Sequence, residues 1–155
     1  MPYALVLLLE VNDNFAVSVA RKSINQTDKL KRTIDEVITS TWFDKTDEAA
    51  INNSFLKQLN TKTFNNLNLK MFYENFIKAI HLFETSLLTG AFKNKETKDV
   101  VEDAEVLKQI ELIDKEIISL KSQIKKETVF SDKVSLNISL KEIEKRKQKL
   151  IQKLS

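Results

Sequence analysis

The sequence predicts an α+β protein: a small antiparallel sheet packed on a helix, followed by a C-terminal antiparallel helical hairpin of coiled-coil type. Three observations predict it. Residues 3–20 hold two apolar runs separated by Asn12-Asp13-Asn14, the pattern of a β-hairpin. Residues 69–88 carry apolar side chains at helical spacing and end just before the only glycine, Gly90. Beyond residue 98 the composition turns to Glu, Lys, Leu and Ile, with heptad spacing in two separate blocks.

The first strand spans about 3–10, and its unbroken apolar run from Tyr3 to Leu9 reads as a strand buried on both faces, interior to the sheet. Asn and Asp tolerate left-handed backbone angles and bond their own backbone, so Asn12-Asp13-Asn14 supplies the turn. The second strand, about 15–21, alternates, with Phe15, Val17 and Val19 on one face. Residues 33–43 are rich in β-branched side chains and read as a third strand. Either Ile34, Ile38 and Trp42 or Val37, Thr39 and Thr41 define its faces, and a helical turn is the alternative. A short helix follows at about 48–59, with Asp47 as N-cap. Asn68 caps the next helix, 69–88, whose residues Phe72, Phe76, Ile80, Phe83 and Leu87 share one face, and Gly90 sits where a C-cap needs a left-handed residue. His81 falls at the boundary of that face. The α+β domain thus covers 1–92.

The apolar-free stretch Lys-Asn-Lys-Glu-Thr-Lys at 93–98 is a linker, and 99–155 form the hairpin. In its first arm, about 99–127, Val106, Ile110, Ile113, Ile117, Leu120 and Ile124 form an unbroken heptad seam. The second arm, about 132–154, repeats the spacing with Leu136, Leu140, Ile143, Lys147, Leu150 and Leu154. These residues, Lys147 aside, are the expected interaction seam. The two seams are out of phase, which predicts a break near Thr128–Asp132 and a second helix capped by Ser131 or Asp132. Arms of similar length on a short connection pack antiparallel. The acidic start (Glu96, Asp99, Glu102, Asp103, Glu105) then lies beside the basic end (Lys145, Arg146, Lys147, Lys149, Lys153), and each sign suits its helix dipole.

Composition removes most catalytic chemistry. With no Cys there are no disulfides, thiol nucleophiles or thiolate zinc sites. One His leaves no two-His metal site, and one Gly excludes phosphate-cradling loops and the dinucleotide fingerprint. No cofactor and no metal are expected, and the protein is read as more a binder than an enzyme. Among 155 residues there are 22 Lys, 3 Arg and 22 acidic side chains, a net charge of +3, so the overall field selects no partner. One local cluster stands out. Arg21, Lys22, Lys29, Lys31 and Arg32 form a basic segment at 21–32 that could neutralise phosphates. The competing reading is a solvated loop guarding a sheet edge. A nuclease-like set would need Glu10 with Arg21 and Lys22, helped by Asp13, Asp35 and Glu36, but the acid-x-Lys that such strands carry is missing. No signal peptide and no apolar stretch of about 20 residues is present, so a cytoplasmic protein without a membrane partner is expected.

The segments PYALVLLLEVNDNFAVSVARK, INQTDKLKRTIDEVITSTWF, LNLKMFYENFIKAI and KKETVFSDKVSLNISLKEIEK resemble the successive blocks of the bacterial family called domain of unknown function 4391. The ETVFSDKVSLN stretch between the two arms is the most specific of them. The resemblance covers nearly the whole chain and implies no established activity. It implies an accessory protein of the kind found beside helicases and DNA methyltransferases in restriction or phage-defence gene neighbourhoods. Family members carry several tens of residues before the Pro-Tyr strand, so this chain is expected to lack N-terminal elements flanking that strand. The expected function is that of a non-catalytic accessory or scaffold protein with a protein partner engaged by the hairpin. A nucleic-acid-binding accessory subunit using 21–32 is the alternative, and a degenerate nuclease-like domain ranks last. The sequence leaves the oligomeric state open.

Overall fold

Asn12 and Asp13 both take positive φ, 48° and 65°, and form the two-residue turn that matches the twist of a β-hairpin. The computed structural model describes residues 5–44, 46 and 49–154. Strand β1 (Val6–Val11) pairs antiparallel with β2 (Asn14–Ile24) from Val6↔Val19 to Val11↔Asn14. The other edge of β2 is shared. Strand β3 (Arg32–Thr39) takes the stretch from Ser18 to Ile24, and the short β4 (Phe43–Asp44) takes Asn14 and Phe15. Where β3 has ended and β4 has not begun, Ser40 keeps the ladder intact. Its N–H donates to the Val17 carbonyl at 2.9 Å, and its Oγ accepts from the Val17 N–H at 3.0 Å.

The alternation of β2 puts Phe15, Val17 and Val19 on one face, which is buried together with Ile38 and Phe43. Helix α1 (Ala50–Gln58) adds Phe55 to this core, and helix α2 (Leu69–Thr89) adds Ile77, Ala79, Ile80 and Phe83. Phe55 and Phe83 stack with centroids 4.2 Å apart, and Phe43 stands edge-on to both, at 5.2 and 5.8 Å. Each such pair contributes about 0.5–1.5 kcal/mol beyond its buried area. A second aromatic group, Phe64, Phe72 and Phe76, meets edge to face near the start of α2. Helix α2 begins where Asn68 Oδ1 accepts from the Met71 N–H, and it ends at Gly90 in the left-handed conformation.

The chain divides into two compact units, 1–100 and 101–155. The second holds all of α4 (Phe130–Leu154) and all but the first four residues of α3 (Thr97–Lys126), which run antiparallel with ion pairs between Lys147 and Asp114 at 2.5 Å and between Lys121 and Glu144 at 3.5 Å. All of the heptad residues are buried or half-buried. Burial is greatest far from the connecting loop, at Ile110, Ile113, Ile117, Leu150 and Leu154, and weaker towards it, at Ile124, Leu136 and Leu140. No helix of the described residues is long and apolar enough to cross a membrane.

Several sequence expectations need correction. Strand β1 is an outer strand, paired only with β2 among the described residues, and Leu5, Leu7, Leu8, Leu9 and Val11 are exposed. One face of its apolar run, with Leu7, Leu9 and Val11, is open, and on the other Val6 packs against the core while Leu8 is exposed. The strand expected at 33–43 is two strands broken at residues 40–42, and of Ile34, Ile38 and Trp42 only Ile38 is buried. Leu87 is exposed, and His81 is buried. The proposed cap Asp47, with Glu48, lies outside the described residues, as do Pro2 and Tyr3; helix α1 starts at Ala50 with no side-chain cap. The linker is shorter than 93–98, since α3 starts at Thr97. The second arm begins at Phe130, so Ser131 and Asp132 lie inside its first turn; the loop amides of Thr128 and Val129 donate instead to Glu127 Oε1.

One acidic side chain holds the broken edge to α2. The Thr41 N–H donates to Glu84 Oε1 at 2.5 Å and the Thr41 hydroxyl to Oε2 at 2.9 Å. Burial pushes the Glu84 carboxyl above its ordinary value of 4.5, while the two Thr41 bonds pull it back. The folded state therefore binds this proton more tightly than the unfolded chain, and the resulting stability is complete at low pH and lost as pH rises through the folded-state value. Glu84→Gln keeps an acceptor for Thr41 and removes the titration. Urea titrations should show its stability rising relative to the parent between pH 4.5 and neutrality.

Candidate functional site

The basic segment divides between two places. Arg21 and Lys22 lie on β2, and Arg32 opens β3, while Lys29 and Lys31 sit in the connecting turn. That turn is tied by its own polar groups. Asn25 Oδ1 accepts from the N–H groups of Thr27 and Asp28, each at 2.9 Å, and Asp28 pairs with Lys31 at 3.3 Å. Arg32 donates to the carbonyls of Lys29 and Lys31.

Beside the turn, β3 carries one extra residue. The register passes from Arg21↔Glu36 to Lys22↔Ile34, leaving Asp35 as a bulge whose carboxylate accepts from Ser23 Oγ at 2.8 Å. The bulge and the first turns of α2 enclose a cavity of about 320 Å³ lined by Ala20, Arg21, Lys22, Arg32, Asp35, Lys70, Tyr73 and Glu74. Four cations and two carboxylates line it, and a third carboxylate, Glu36, pairs with Arg21, which leaves an excess of one positive charge. Arg21 is held between Glu36 at 3.6 Å and Glu74 at 3.8 Å. Tyr73 anchors the wall. Its hydroxyl accepts from the Ala20 N–H at 2.7 Å and lies within donating distance of the Ala20 and Leu5 carbonyls, at 2.9 and 3.0 Å.

Three of the five expected cations thus converge, and Lys29 and Lys31 do not line the cavity. Sequence reasoning missed Lys70, Tyr73 and Glu74. Their spacing of three and four places them on one side of α2, but only the fold shows that this side overlies the end of β2. The arrangement suits an anion with more than one oxygen to offer. Among the described residues no group of three His, Cys, Asp or Glu side chains could hold a metal ion. Glu10 lies opposite Phe15 and Glu36 opposite Arg21, so β2 separates those carboxylates by roughly 20 Å of strand.

The hairpin offers a different surface. Its seam is the buried side of both helices, so a partner meets residues off the seam. Val129, Phe130, Val134 and Ile138 are exposed on the loop and the start of α4, with Phe130 81% accessible. Phe130, Val134 and Ile138 recur every fourth residue and share one helix face.

Fold and surfaces together define a small α+β protein with a four-stranded antiparallel sheet and a C-terminal pair of long helices. The chain belongs to the family described as a domain of unknown function, DUF4391, whose model matches residues 1–146. No curated protein and no solved structure matches it.

The Tyr73 hydroxyl is the most exacting part of the cavity wall. Tyr73→Phe leaves the Ala20 N–H without its acceptor and should lower stability by about 1–3 kcal/mol, measured by urea denaturation at neutral pH.

Proposed function

We propose that the protein is a non-catalytic accessory or scaffold protein of the cytoplasm, with its C-terminal helices acting as a coiled-coil arm for a protein partner. The observation that carries this reading is the exposed apolar face of Val129, Phe130, Val134 and Ile138. Intramolecular packing uses the seam and leaves this face to solvent, and a contiguous apolar patch on a helix is the signature of a groove-docking or bundle-forming partner. We further propose a restriction or phage-defence system as its setting.

The test uses the full chain as bait, identifies the co-purifying protein, and measures binding between the two purified proteins. Phe130→Asp combined with Ile138→Asp should weaken that complex by about tenfold or more, with helical circular dichroism unchanged. An unaltered affinity overturns the reading.

A second reading is supported by the convergence of Arg21, Lys22, Arg32 and Lys70 on one cavity: contact with the phosphates of a nucleic acid. It predicts that labelled DNA binds with an affinity falling steeply as salt rises, and that joint charge reversal of Lys22, Arg32 and Lys70 abolishes binding while Lys29→Glu costs little. Retention of DNA by the triple variant sinks it.

A further inference from the structure

We propose that β1 is the seam of a homodimer, in which two copies join edge to edge by antiparallel pairing across a twofold axis at Leu8. Among the described residues the strand pairs along one edge only, with β2, and its other edge is open from Val6 to Val11. It runs from Val6 to Val11 in unbroken register, with no bulge, proline or lysine, the devices that usually blunt a sheet edge. Leu8 is 67% exposed on the core-side face, and Leu7, Leu9 and Val11 are exposed on the other.

The backbone shows which groups face outward. The Tyr73 hydroxyl bridges the Ala20 N–H and the Leu5 carbonyl, so the backbone of Leu5 faces β2; the two-residue turn sets Val11 the same way. Direction alternates along an antiparallel pair, so Leu7 and Leu9 also face β2. Val6, Leu8 and Glu10 therefore turn their N–H and C=O groups to the open edge.

These three residues complement a second copy of themselves. With the axis at Leu8, Leu8 faces Leu8 of the second copy, and Val6 faces Glu10 in both directions. All six outward residues then exchange backbone hydrogen bonds. On the far face Leu7 meets Leu9. The lone charge of the strand selects this register: an axis at Glu10 opposes two carboxylates, and an axis at Leu7 pairs only Val6 with Leu8. A closed twofold contact also removes both open edges, which a foreign strand would do for one chain only. The seam is about 20 Å long and one six-residue strand per copy carries it, so the dimer should dissociate on dilution.

Sedimentation of the full chain over a dilution series tests this. The expected result is a monomer–dimer equilibrium, weakened roughly tenfold or more by Leu8→Lys, which sets like charges opposite each other at the axis. Because the chain has no cysteine, Leu8→Cys gives an independent reading under oxidation. Directly opposed hydrogen-bonded residues have Cα atoms about 5.5 Å apart, within disulfide reach. A covalent dimer should form with Leu8→Cys and not with Leu67→Cys, another exposed leucine. A chain that stays monomeric at the highest concentration, or equal cross-linking at both positions, overturns the proposal. So would a dimer indifferent to Leu8→Lys.

Discussion

The backbone of β2 must be satisfied along both edges, and one serine decides whether it is. On the edge shared by β3 and β4 the ladder is interrupted at residues 40–42, and there Ser40 both gives and takes a hydrogen bond with Val17. Without its hydroxyl the buried Val17 N–H would have no acceptor, at a cost of about 1–3 kcal/mol. Because the ladder survives the break, the chain rejoins β2 as β4 and delivers Phe43 against Phe55 and Phe83. The aromatic cluster that unites the sheet with α1 and α2 therefore depends on a polar contact at the sheet's edge. Glu84 reinforces the same point from the helix side by holding Thr41.

With its single glycine placed at the end of α2, the chain makes its other bends with side chains. Asn12 and Asp13 accept left-handed angles at the hairpin, Asp35 forms the bulge, and Glu127 takes the amides of the loop before α4. These local devices explain what could be read in advance. The Asn-Asp turn, the Asn68 cap, the Gly90 terminus and the two heptad seams each write their geometry within a few residues of sequence. Long-range features did not. Apolarity in Leu7-Leu8-Leu9 records that no polar side chain is needed there, not that another layer covers the strand. The break at Ser40 is hidden because Thr39-Ser40-Thr41 lies within a stretch rich in β-branched side chains. The cavity was half legible, since Arg21, Lys22 and Arg32 stand in one segment, whereas Lys70 reaches it only through the packing of α2 on β2.

The hairpin shows how a polar residue in an apolar seam can set alignment. Lys147 occupies a heptad position of α4, is half-buried, and meets Asp114 of α3. A shift of the two helices by one turn would separate Lys147 from Asp114 and Lys121 from Glu144. The apolar seam alone would tolerate such a shift, because its residues are similar in size. The two ion pairs therefore favour the observed register over a shifted one, the use that polar groups at coiled-coil interfaces commonly have.

Along the same two helices, the weakening of burial from Ile110 and Leu150 towards Ile124 and Leu136 gives the hairpin a direction. Local opening starts where few apolar contacts must be broken, so amide hydrogens near the loop exchange through small fluctuations, while those near the far ends wait for much larger ones. The exposed face of Phe130 and Val134 sits at the end that opens first. That segment can change its backbone at low cost while the opposite end stays folded, so any ordering of it falls on the least stable turns of the hairpin.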